Sequence, residues 1–213
     1  MAPHRHRCRW VCVFAALFLS APYIATKTES AEPRQRPSTN IVILLVDDLG
    51  WGDVGYHNPE VTTPNIDNIA ARGVEFDRFY VNPTCSPTRA SLLTGQFSTT
   101  HGVNGPIQWH SEEGLPLEWQ TLPGYLKRAG YQTHLVGKWH LGAASTAYWP
   151  QHRGFDSFYG HLNGGIGYFD HVFSGGLDWQ SGGVTIRERG YATQLIKRAT
   201  VKLIEDRSTE DEP

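Results

Sequence analysis

Three short stretches of this sequence combine residue types that can do chemistry. In "CSPTRASLLTG" (Cys85 to Gly95), a cysteine stands directly before Ser86-Pro87 and four residues before Arg89. Pro87 suits the first turn of a helix, because its missing N–H would be unpaired there anyway. Cys85 is therefore predicted at a helix N-terminus, where free N–H groups and the macrodipole favour an anion. Arg89 falls one turn on, on the same face. A helix tip plus a guanidinium fork would receive a tetrahedral oxyanion. The same cysteine could equally be a buried structural residue or a thiolate nucleophile. In "IVILLVDDLGWGD", Asp47 and Asp48 offer hard carboxylate oxygens of the kind Ca²⁺ or Mg²⁺ prefers. A solvated acidic turn is the plainer reading of the pair, and Asp53 nearby is not taken as a ligand. In "GKWHLG", Lys138 and His140 lie two apart and would point the same way from an extended segment. They would supply a fixed positive charge and a proton-transfer group, against the plain alternative of a surface lysine and a packed histidine.

The elements that must position these residues follow from pattern. Ile41 to Val46 is a continuous apolar, β-rich run, as expected of a strand buried on both faces of a parallel sheet. It delivers Asp47 and Asp48 to its C-terminal end, where ligand crevices form in open α/β sheets. "TTPNIDNIAARG" (Thr62 to Gly73) predicts a helix, and Val74 to Val81 alternates like a strand. A helix beginning near Pro87 ends before Gly95. Another, Thr121 to Gly130, leads into a strand, Tyr131 to Gly137, that presents Lys138 and His140. Gly154 to Gly183 is expected to be mostly loop, and Tyr191 to Asp206 shows helical spacing. Strands alternating with helices predict an α/β fold with a parallel sheet.

The bulk of the chain narrows the function classes. With 213 residues it can bury a real core. Nineteen Lys and Arg against 21 Asp and Glu leave a net charge of −2, which argues against nucleic acid as a partner. The N-terminal "MAPHRHRCRW" is basic, and the apolar run Val11 to Leu19 is followed by small residues. That pattern predicts a secretory signal peptide over residues 1–25, cut between Ser20 and Ala31. The apolar run is far short of the ~20 residues that span a bilayer, so no membrane partner is expected after cleavage. Residues 26–39 form a polar, proline-containing lead-in. Cys8 and Cys12 belong to the signal segment, which leaves Cys85 as an unpaired cysteine in a secreted chain, an anomaly that needs a cause.

The stretch "CSPTRASLLTG" resembles the Cys-x-Pro-x-Arg signature of the type I sulfatases, including the trailing Leu-Thr-Gly. "DD" at positions 47 and 48, "GKWHLG" and "RGFDSFYG" (Arg153 to Gly160, read as structural) extend the resemblance from about Asn40 to Asp206. It implies an alkaline-phosphatase-like fold, a mostly parallel sheet sandwiched by helices, with residues 40–213 as the N-terminal portion of the catalytic domain. It also implies that a formylglycine-generating enzyme oxidises Cys85 to formylglycine, whose hydrate cleaves sulfate esters. By the same resemblance Asp47, Asp48 and the modified Cys85 hold Ca²⁺, or Mg²⁺. Arg89 and Lys138 contact the sulfate, and His140 takes a proton from the hydrate. The group most similar is arylsulfatase B, which implies a sulfated glycan, N-acetylgalactosamine sulfate within glycosaminoglycans, and a lysosomal or extracellular location. The family's second His, its Asp-Asn pair and its second Lys have no counterparts, so the chain is expected to be truncated and weak alone. Competing readings are a phosphatase or phosphodiesterase of the same superfamily, a cysteine hydrolase, and a non-catalytic module binding sulfated glycans. The remaining histidines, including His57, His101, His110, His134 and His161, are expected on the surface or in packing.

Overall fold

The computed structural model describes residues 39–207; the predicted signal peptide and nearly all of the lead-in lie outside them. Among the described residues five α-helices are formed: α1 (Pro64–Arg72), α2 (Cys85–Thr94), α3 (Ser98–His101), α4 (Leu122–Arg128) and α5 (Ala192–Arg207). Pro64 opens α1, and Gly95 closes α2 in the left-handed conformation that favours glycine. The strands are β1 (His134–Lys138), β2 (Ser157–His161), β3 (Val172–Phe173), β4 (Gly176–Leu177), β5 (Gln180–Ser181) and β6 (Val184–Thr185). No helix among the described residues is long and apolar enough to cross a membrane.

The main sheet runs β1-β2-β5-β6, with β1 and β2 parallel and the other neighbours antiparallel. It is therefore a mixed sheet in an α/β chain, and its parallel pair is the part that carries the site. In the β1–β2 register, Lys138 lies opposite His161 and Gly137 opposite Gly160. A side chain at Gly160, whose φ is +147°, would overlap the Gly137 carbonyl, so the two strands meet through backbone alone. The principal core contains Ala90, Val103, Leu115, Trp139, Leu141, Phe158 and Leu162. Buried side chains of this size stabilise by about 1.5–3 kcal/mol each. Trp179, Ala192 and Leu195 seat α5 in a smaller cluster. Arg153 ties the core's edge together: its guanidinium donates to the carbonyls of Leu115, Pro116 and Trp119 at 2.7, 3.2 and 3.0 Å.

Two expectations need correction. Ile41 to Val46 is not a strand, and its side chains are exposed, Leu44 at 75%. Val74 to Val81 is likewise without strand structure and exposed. A strand exists only through a ladder partner, and among the described residues no backbone bond pairs either run. Gly154 to Gly183 is mostly loop, as expected, but short strands are set within it. It contains β2, β3, β4 and β5, and β2 is the main partner of β1.

Candidate active site

Cys85 is the first residue of α2, as Pro87 predicted, with Thr84 extended before it. The approach to the helix is held by its own side chains. Asn82 Nδ2 donates to Ser91 Oγ at 3.1 Å, and Thr88 Oγ1 lies 3.0 Å from Asn82 O and 2.9 Å from Thr84 O. Among the described residues Cys85 is a free, half-buried cysteine. Its Sγ lies 3.1 Å from His140 Nδ1, a contact made across 55 residues.

His140 reaches Cys85 because the chain breaks direction after β1. The strand ends at Lys138, and His140 adopts φ +57°, a conformation uncommon outside glycine. The extended alternation expected for Lys138 and His140 is thus broken, and the two side chains take different partners. The ring's other nitrogen, Nε2, is 2.9 Å from the carbonyl oxygen of Ile107. A carbonyl only accepts, so Nε2 carries the proton and Nδ1 faces Cys85 with a bare lone pair. Burial lowers the imidazole pKa, and the charge on Lys138 lowers it further, outweighing the Ile107 bond. The neutral, accepting form is therefore favoured.

The groove beside Cys85 is walled by residues 45–49, 81–85 and Thr88 with Arg89, so Asp47, Asp48, Cys85 and Arg89 share one depression. Lys138 Nζ donates to Asp47 Oδ2 at 2.6 Å, with the lysine side chain only 10% exposed. Arg89 is 9% exposed; its Nη1 donates to the Lys138 carbonyl at 2.6 Å, while its Nε is buried without a partner among the described residues. Burial lowers the guanidinium pKa, with Asp47 and Cys85 opposing. A guanidinium one turn into α2, on the groove wall and with one donor unpartnered, suits an anionic ligand. Asp48, like His140, has a positive φ, +58°. Backbone tension of this sort gathers at functional positions. By donor chemistry the two carboxylates fit a hard dication, although no group of three His, Cys, Asp or Glu among the described residues converges to complete a shell.

All six predicted site residues thus fall at one place: Cys85 with His140, Lys138 with Asp47, Arg89 with Lys138, and Asp48 on the shared groove. Sequence reasoning passed over the residues that support them. Ser86 is fully buried; its hydroxyl donates to His140 O at 2.9 Å and accepts from Ile107 N at 3.0 Å. Gly164 lies against the imidazole, and a Cβ there would come within 2.6 Å of it. Their nearest signals were a serine inside the Cys-x-Pro segment and an unassigned glycine pair. The other histidines divide as expected. His57 stacks on Trp51, His101 is buried against Ser91 and Val103, and His134 meets Ser157.

Comparison with known proteins finds relatives for most of the chain. The family model described as Sulfatase matches residues 39–212. Human N-acetylgalactosamine-6-sulfatase is 45% identical over 141 residues, covering 62% of this chain and 27% of its own length. Mouse arylsulfatase J is 43% identical over 133 residues, covering 62% and 22%. The chain therefore spans about a quarter of the length of the curated relatives it matches. Among solved structures, Ps i-CgsB in complex with k-i-k-neocarrahexaose superposes with a TM-score of 0.73 at 30% identity, covering 78% of this chain and 41% of that one. A protein in complex with its substrate D-glucosamine-2-N,6-O-disulfate gives 0.54 at 36% identity, covering 68% and 26%.

Proposed function

The chain belongs to the sulfatase family, and from that premise we propose that the Cys85 groove is a sulfate-ester-cleaving centre that works after Cys85 has been oxidised to formylglycine. The observation that carries this is the contact between Cys85 Sγ and His140 Nδ1 at 3.1 Å. In formylglycine Cβ becomes the aldehyde carbon, so Sγ stands where an oxygen of the hydrated aldehyde would be. A geminal diol there supplies one hydroxyl to attack sulfur and a second whose deprotonation expels sulfate and restores the aldehyde.

The chain's own residues do the rest. His140 Nδ1 accepts the proton of the second hydroxyl, because Ile107 has fixed the tautomer that leaves it bare. Arg89 lends its guanidinium charge to the sulfate oxygens from the groove wall, and Lys138 adds positive charge beside Asp47. Asp47 and Asp48 would hold Ca²⁺ or Mg²⁺, and such an ion supplies the charge that polarises a sulfate oxygen. The tip of α2 contributes its N–H groups to the same negative charge.

The substrate proposed is a sulfated sugar or glycan, in keeping with the relatives' names and the two sugar complexes. A secretory route, lysosomal or extracellular, follows from the basic and apolar N-terminus and would bring the chain to the formylglycine-generating enzyme. The test is intact-mass analysis of the Cys85 peptide after secretory expression, with turnover of a chromogenic aryl sulfate. Aldehyde at position 85 is expected. Cys85→Ser should stop after one turnover, because a sulfated serine has no second hydroxyl to expel sulfate. Unmodified cysteine as the sole species, or repeated turnover by the serine variant, would overturn the reading.

A further inference from the structure

Of the chain's seven asparagines, two precede glycine, Asn104-Gly105 and Asn163-Gly164, and the other five precede isoleucine or proline. We propose that Asn104 is a site of spontaneous covalent modification, converted through a cyclic imide to aspartate and isoaspartate, while the fold protects Asn163 from the same reaction.

The reaction needs only the chain and water. The Gly105 amide nitrogen gives its proton to solvent base and attacks Cγ of the Asn104 side chain. An N–Cγ bond forms and closes the imide ring; the Cγ–Nδ2 bond breaks and ammonia leaves. Water then opens the ring. Opening at Cγ gives aspartate, and opening at the original main-chain carbonyl gives isoaspartate, whose main chain runs through Cβ. Nothing is oxidised or reduced. Glycine permits the attack because it has no Cβ to shield its nitrogen. A following isoleucine crowds the approach, and a proline has no N–H to give.

Local structure separates the two pairs. Asn104 is exposed in irregular chain, and its side chain makes one long bond, Nδ2 donating to Gly102 O at 3.3 Å. The Gly105 N–H has no hydrogen-bond partner among the described residues, and a Cβ at that position would meet nothing within 4 Å. Nucleophile and side chain can therefore swing together at little cost. Asn163 is clamped. Its N–H and its Nδ2 donate to Asp178 Oδ2 at 2.8 and 2.9 Å, and its carbonyl accepts from His161 Nδ1 at 3.0 Å. Asp178 is itself buried, and a Cβ on Gly164 would come within 2.6 Å of the His140 ring. Closing an imide there would break the bonds to Asp178 and turn a segment packed against an imidazole.

The position gives the modification a consequence. Residues 104–106 bridge two anchored points. On one side, buried Val103 donates its N–H to His101 Nδ1 at 3.2 Å. On the other, Ile107 donates its N–H to Ser86 Oγ at 3.0 Å and accepts from His140 Nε2 at 2.9 Å. Isoaspartate adds one carbon and a carboxylate to that short bridge. Ile107 is then displaced from Ser86 and His140, and the imidazole loses the bond that fixes its tautomer.

The test is incubation of the folded 213-residue chain for days in warm, mildly alkaline buffer, followed by peptide mapping by mass spectrometry. Asn104 should show the amide-to-acid mass change, with isoaspartate detected by enzymatic methylation. Asn163 should convert at least about tenfold more slowly, since it must first give up its bonds to Asp178. In concentrated guanidinium chloride the difference should vanish, because only the fold separates the two sites. Gly105→Ala, which the open space at residue 105 accommodates, should slow conversion of Asn104 about tenfold or more. Converted material, isolated by its extra negative charge, should unfold at a lower urea midpoint than the rest. Equal rates at the two sites in the folded chain would overturn the proposal, as would an Asn104 that survives folded for the time that converts it unfolded. Unchanged kinetics in Gly105→Ala or an unchanged urea midpoint would do the same. No readout here involves the chemistry of Cys85, so the outcome is independent of the sulfatase reading.

Discussion

Ser86 holds the geometry on which its two neighbours depend. Its one hydroxyl donates to the carbonyl of His140 and accepts from the amide of Ile107. Those are the backbone groups of the proposed base and of the residue that orients its ring. Ser86→Ala would leave a buried carbonyl and a half-buried N–H unpaired, which should cost about 2–3 kcal/mol and be read as a lower urea midpoint. Turnover of an aryl sulfate should fall as well, because the His140 ring would no longer be fixed relative to Cys85. A variant with an unchanged midpoint and rate would show that the serine merely fills space. Cys85, Arg89, Lys138 and His140 were legible because each carries a reactive group in a spaced motif. Ser86 and Gly164 were not, because their work lies in a contact and in a missing side chain.

At the scale of elements, the β1–β2 seam sets the site, and a carboxylate at its start holds it. Asp156 accepts from Thr133 N at 2.8 Å and from Thr133 Oγ1 at 3.0 Å, and pairs with Lys127 at 2.5 Å. It thereby joins the end of α4 to the approaches of both strands. Desolvation raises its pKa, but the bonds from Lys127 and Thr133 outweigh that and hold it below the usual carboxylate range. A folded pKa below the unfolded value means stability that is present above about pH 4 and lost as the pH falls through the folded value. Asp156→Asn should therefore lower the urea midpoint at pH 7 by an amount equivalent to about 1 kcal/mol, since 32% of the side chain is exposed. The gap from the unaltered chain should shrink on acidification below about pH 4. A gap equally wide in acid would mean that the charge on Asp156 is irrelevant to the seam.

At the scale of the whole molecule, burial of neutral imidazoles governs the response to acid. Burial lowers the pKa of His101, and it pushes that of His161 down to about 4, against the opposing charge of Asp178. Folded pKa values below the unfolded ~6.5 mean that the unfolded chain binds protons the native one refuses. Stability should therefore be full above about pH 6.5 and decline below it, down to about 4 for His161. Thermal unfolding followed from pH 8 to 5 should show a falling midpoint; a flat profile would contradict the burial of these rings. The same scale explains the two strands that pattern reasoning expected and the structure lacks. Ile41 to Val46 and Val74 to Val81 have strand composition, yet they present exposed apolar side chains such as Val42 at 72% and Tyr80 at 86%.

By itself the sequence determined the helices with end signals, the strand before Lys138, the placement of Cys85 at a helix tip and the membership of six residues in three motifs. These are local properties, set by proline, glycine and side-chain chemistry within a few positions. Only the tertiary structure decided which motifs touch: Cys85 meets His140 across 55 residues because β1 pairs with a strand hidden in a glycine-rich stretch and then turns through a left-handed residue. It also decided that two apolar runs would remain unpaired. A strand is a property of two segments, and one segment read alone holds only half of that information.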